Sequence, residues 1–185
     1  IVFTTSRDGF QELYTMRPDG TDLRRLTKNV NQNDLTAAYS PDGAWLAYAT
    51  NYSVGDNSGD LWLMRADGTD QRQLTDLDAT HQTRRRDRSP IWSPDGRYIA
   101  YLRQDGSVNT DIFLYDMAQD EHRELTTTPD HNFNPVWSPD GQWLAYVSST
   151  SNGREAQIFT VHSNGHDTRA LTVVDQQYRI ELWYE

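Results

Sequence analysis

Four arginines, Arg84, Arg85, Arg86 and Arg88, stand within five positions, and His81 precedes them. The whole chain holds only 17 Lys and Arg against 27 Asp and Glu, for a formal net charge of -10. A guanidinium offers a planar fork of N–H donors that matches the two oxygens of a carboxylate or phosphate. This local reversal of sign therefore reads as a clamp for a carboxylate, a phosphate or an acidic peptide. The plainer reading is that the arginines pair with neighbouring acids or stay solvated.

Other polar groups recur in comparable connections: Asn33 and Asp34, then His131, Asn132 and Asn134, then Gln177 and Arg179. Amides, imidazole and guanidinium are what a polar peptide site uses, although a single Asn or Asp also serves as a loop cap. Catalytic signatures are missing. The sequence has no Gly-x-Ser-x-Gly, no His-Glu-x-x-His, no phosphate-cradling glycine loop and no cysteine. His162 and His166 flank an Asn-Gly turn, and no Asp-x-Asp-x-Asp-Gly calcium loop is present. The expectation is a chain with no cofactor, no metal and no catalytic residue, leaning away from an enzyme.

The net negative charge disfavours nucleic acid, whose phosphates need a basic surface. No apolar run approaches the roughly 20 residues that span a bilayer, so membrane insertion is not expected. Only 36% of residues are hydrophobic, yet the 11% aromatic content, with six Trp and ten Tyr, argues for a folded core.

The elements that would position these groups are set by repeats. Ser-Pro-Asp-Gly occurs at 40–43, 93–96 and 138–141, each time after an aromatic residue (Tyr39, Trp92, Trp137). An aromatic and apolar run follows each one, as in Trp45-Leu46-Ala47-Tyr48 and Trp143-Leu144-Ala145-Tyr146. Pro fixes φ, Asp caps the turn through its side chain and Gly accepts positive φ, so each string reads as a tight hairpin turn. A second marker, Leu-Thr, falls at 26–27, 74–75, 125–126 and 171–172. Its spacing is close to the length of a four-stranded propeller blade.

The expected fold is all-β: a β-propeller of four four-stranded blades in one domain over 1–185. Blade 2 covers 36–75, blade 3 covers 89–126 and blade 4 covers 134–172, with strands A to D in order. Blade 1 combines 1–27 with a closing strand at 179–185. Half of an eight-bladed ring formed by two chains, and a fragment of a longer propeller, are the alternatives. The chain would accordingly be a monomer or a homodimer. The Arg84–Arg88 run and the polar residues named above fall in D–A connections, on the face opposite the acidic Pro-Asp-Gly turns.

The repeated aromatic-Ser-Pro-Asp-Gly-x-aromatic-(Ile/Leu)-Ala-Tyr string resembles that of TolB-like (WD-like) β-propellers. So does the Ala66-Asp67-Gly68-Thr69-Asp70 turn leading to Leu74-Thr75. The resemblance implies a bacterial protein, periplasmic or extracytoplasmic, that binds a protein or peptide, an acidic one included, through its D–A loop face. It also leaves open an accessory or gating propeller of a peptidase-type or other enzyme, or a purely structural repeat assembly.

Overall fold

The computed structural model describes residues 1–52, 59–75, 85–106, 109–128, 130–150 and 155–172. Among them every regular element is a β-strand. The strands are β1 (Val2–Thr5), β2 (Glu12–Thr15), β3 (Arg24–Arg25), β4 (Gln32–Tyr39), β5 (Trp45–Tyr52), β6 (Leu61–Arg65), β7 (Arg72–Gln73) and β8 (Arg85–Trp92). They continue as β9 (Tyr98–Asp105), β10 (Asp111–Asp116), β11 (Glu121–Glu124), β12 (His131–Trp137), β13 (Trp143–Ser149), β14 (Ala156–His162) and β15 (Arg169–Ala170).

They form four sheets in chain order: a three-stranded β1-β2-β3, then the four-stranded β4-β5-β6-β7, β8-β9-β10-β11 and β12-β13-β14-β15. Each is an antiparallel meander, as expected for propeller blades joined by short turns. The closing strand expected at 179–185 lies outside the described residues.

The chain divides into two compact units, 1–90 and 91–185. In the first, Leu13, Leu26, Leu46, Tyr48 and Met64 form a buried cluster against which Val2, Tyr39 and Trp62 pack. In the second, Ile112, Leu114, Leu125, Trp137, Leu144, Tyr146 and Val161 are among the buried members, flanked by Tyr98 and Phe159.

One ring pair recurs in every sheet. Phe3 faces Tyr14, Tyr48 faces Trp62, Tyr101 faces Phe113 and Tyr146 faces Phe159, always as cross-strand partners in register. Their centroids lie 6.1, 6.5, 5.8 and 5.7 Å apart. Such pairs add stabilisation to the area they bury.

Strands β4, β8 and β12 begin earlier than the sequence pattern suggests, at residues 32, 85 and 131 instead of 36, 89 and 134. The cause is a repeated irregularity. Thr36, Ser89 and Asn134 hold positive φ (35°, 55° and 51°). The ladder shifts register between Leu35 and Ala37 and again between Phe133 and Val136. A bulge of this kind breaks the two-residue alternation by which a strand is recognised. Pro90 and Pro135 follow the bulge, where no ladder N–H is required.

Candidate functional site

The Thr of each Leu-Thr marker closes its own sheet. Thr27, Thr75, Thr126 and Thr172 accept, through Oγ1, the backbone N–H of Leu13, Leu61, Ile112 and Ile158 at 3.0, 2.9, 2.9 and 2.9 Å. In three sheets the residue just before that N–H is acidic and lies at or near the start of the strand: Glu12, Asp60 and Asp111. Thr27 Oγ1 donates to Glu12 Oε2 at 2.6 Å, and Thr126 Oγ1 donates to Asp111 Oδ1 at 2.9 Å.

The following sheet docks on this spot through one backbone bond. The N–H groups of Asp34, Asp87 and Asn132 donate to the carbonyls of Gln11, Gly59 and Thr110, each at 2.8 Å. All three side chains are fully buried. Asn132 Nδ2 donates to Asp111 Oδ1 at 3.0 Å and to Thr128 Oγ1 at 2.9 Å. Asp34 Oδ2 accepts from Asn29 Nδ2 at 2.5 Å, while Asn29 N donates to Glu12 Oε1 at 2.6 Å. Arg25 Nη2 also reaches Glu12 Oε1, at 2.9 Å. Burial, with the Glu12 carboxylate beside it, pushes Asp34 up to about 7. These junctions hold successive sheets together, which accounts for the buried polar groups in structural terms.

Strand β8 departs from its counterparts at the next positions. Where β4 has Asn33 and Leu35, and β12 has His131 and Phe133, β8 carries Arg86 and Arg88. Residues two apart share a face of a strand. Arg85, Arg86 and Arg88 are half-buried, and the Nε atoms of Arg85 and Arg88 are shielded from water with no hydrogen-bond partner among the described residues. Burial, and then the adjacent Arg86 guanidinium, hold Arg88 below the usual arginine range. Gly59 lies between β5 and this strand. It forms a parallel bridge with Arg86, and a Cβ at Gly59 would sit 2.3 Å from the Thr50 carbonyl oxygen.

The acidic turns are engaged within themselves. Asp42 Oδ1 accepts from Ser40 Oγ at 2.6 Å and from the Ala44 N–H at 3.0 Å. Asp95 and Asp140 repeat the arrangement with Ser93 and Arg97, and with Ser138 and Gln142. The hydrogen bond from Ser40 holds Asp42 below the usual carboxylate range, and Ser138 does the same for Asp140. No group of three or more potential metal-ligating side chains occurs among the described residues.

The polar residues picked out in the sequence separate accordingly. Asp34 and Asn132 are buried in the junctions and have no surface to offer a partner. Asn33 is half-buried, its Oδ1 accepting the Gln11 N–H at 2.9 Å. His131 is half-buried and Asn134 exposed at its bulge. Arg85, Arg86 and Arg88 lie in a strand, not a connection. His81, Arg84, Gln177 and Arg179 lie outside the described residues. Sequence reasoning missed the junction role of Asp87. The signal was available, because Asp34, Asp87 and Asn132 each stand six positions before the Ser of Ser-Pro-Asp-Gly (34 to 40, 87 to 93, 132 to 138).

Known proteins share this architecture. A structure described as putative TolB from Agrobacterium tumefaciens superposes with a TM-score of 0.70 at 20% identity, over 92% of this chain and 60% of that one. The Tol-Pal system protein TolB of Desulfosudis oleivorans is 34% identical over 100 residues, 54% of this chain and 18% of its own length. A TolB homolog of Chlorobium luteolum is 46% identical over 55 residues, 30% of this chain and 12% of the relative. The chain thus spans less than a fifth of the length of these curated relatives. The family profile of the TolB β-propeller domain matches residues 77–184, more than half of the chain. With its repeated sheets, turns and Leu-Thr closures, the chain belongs to the TolB β-propeller family.

Proposed function

We propose that this propeller is a binding scaffold for another protein, acting outside the cytoplasm. The partner is engaged through the leading ends of β4 and β8 and the connection before β8, to which the sequence assigns His81 and Arg84. The supporting observation is the departure of β8 from its sister strands. A repeat protein needs no arginine at the position of Arg88, which its other repeats fill with Leu35 and Phe133, and a half-buried charge costs stability unless something pairs with it. Rigid sheets that present irregular polar ends are a common platform for recognition. Membership of a family that includes a Tol-Pal system protein favours a protein as the ligand and an extracytoplasmic setting.

The test is affinity capture from a bacterial envelope extract, followed by purification of the captured protein and titration against the propeller. Saturable binding that falls at least tenfold in the R85S/R86S/R88S variant is expected. Binding unchanged in that variant, with its fold intact, would overturn the assignment of the face.

A further inference from the structure

Resting on that scaffold reading, we infer that Arg86 and Arg88 form a two-guanidinium site for a carboxylate of an acidic protein segment. The two side chains leave one face of β8 at neighbouring same-side positions, about 6.6 Å apart along the strand. Among the described residues neither forms an ion pair, and the Nε of Arg88 has no hydrogen-bond partner. The next residue, Asp87, is turned into the junction, where it is fully buried. Arg88 is half-buried and its Nε is shielded from solvent with no hydrogen-bond partner among the described residues, so the surrounding packing restricts its guanidinium. A fork held in this way loses little freedom when it closes on an anion, and a carboxylate between two forks receives charge-assisted bonds from both.

The overall charge of -10 does not oppose this. At physiological ionic strength charges beyond about 8 Å are largely screened, so the local pair governs the encounter. Gly59 supports the site from behind. Its backbone pairs with β8 at both Arg85 and Asp87, with Gly59 N to Arg85 O at 3.3 Å and Asp87 N to Gly59 O at 2.8 Å. The strand segment that carries Arg86 is thereby fixed on both sides.

The experiment uses fluorescent peptides of alternating Asp and Glu, and the same peptides with Asn and Gln, each with a free and an amidated C-terminus. Binding is measured by anisotropy on the whole chain and on its R86Q/R88Q variant, with circular dichroism checking that both fold alike. The acidic peptides are expected to bind the wild type at least tenfold more tightly than the amide peptides, and to lose that preference in R86Q/R88Q. Side-chain carboxylates are the source if amidation of the C-terminus changes nothing. The terminal carboxylate is the source if a free C-terminus alone rescues the Asn/Gln peptide. Equal binding of all four peptides, or a carboxylate preference that survives R86Q/R88Q, would overturn the site. A captured protein that binds without regard to Arg86 and Arg88 would sink the carboxylate site and leave the scaffold standing. Charge-dependent peptide binding with no saturable protein partner would do the reverse.

Discussion

Asp34 lies buried beside Glu12 at the junction of the first two sheets, and the two carboxyls share a hydrogen-bonded cage with Thr27 and Asn29. The equivalent place at the junction of the last two sheets pairs Asp111 with an amide, Asn132, instead of a second acid. One repeat has thus solved by residue type what another leaves to a proton.

That difference predicts a pH dependence. Asp34 holds its proton up to about 7 in the folded chain, against an ordinary value near 3.9 once unfolded. Between these values the folded state binds the extra proton. The site's contribution is therefore complete below about pH 4 and is lost as pH rises through about 7. Asp34→Asn has no proton to lose. Thermal melts should show the variant more stable than wild type at pH 8, by on the order of 1–4 kcal/mol, and close to it at pH 4. A constant difference between the two pH values would show that Asp34 is not the titrating group.

The Leu-Thr closure predicts a graded cost. Thr126→Val keeps the shape but leaves the buried Ile112 N–H without its partner, which costs about 1–3 kcal/mol. Thr172 makes the same bond to Ile158 in a half-buried setting, where water can substitute. Thr172→Val should cost clearly less. Urea midpoints of the two variants decide the point, and equal losses would mean that burial does not set the scale.

Gly59→Ala should be strongly destabilising, because the new Cβ meets the Thr50 carbonyl at 2.3 Å and backbone cannot step aside cheaply. A loss of about 1–3 kcal/mol or more is expected, measurable in the urea midpoint together with weaker peptide binding at β8. A neutral Ala would remove the close approach from the account.

Arg88→Leu restores the apolar character of Leu35 and Phe133 and removes a repulsion from Arg86. Melting should rise, by on the order of 1 kcal/mol in stability, while binding falls, since stability given up at one position commonly marks function there. A lower melting temperature would indicate that the Arg88 stem packs better than an apolar side chain.

The strands that follow the Pro-Asp-Gly turns were legible in the sequence. The apolar run Trp143 to Tyr146 and the turn before it determine a hairpin by composition and turn chemistry. The leading halves of β4, β8 and β12 were not, because Thr36, Ser89 and Asn134 adopt positive φ and interrupt the alternation. Charged residues such as Arg85 to Arg88 also resemble a loop until their ladder is seen. The charge cluster was visible, but its setting was not. Nothing in residue order alone tells that Asp87 turns inward while Arg86 and Arg88 stay half-exposed.

The most direct test of the binding face places a photo-crosslinking residue at position 85, beside the paired arginines, or at position 44, in the turn at the far end of the neighbouring sheet. With the purified partner, irradiation should yield a crosslinked adduct from position 85 and none from position 44. Adducts from position 44 alone would contradict the account and move the binding surface to the acidic turns.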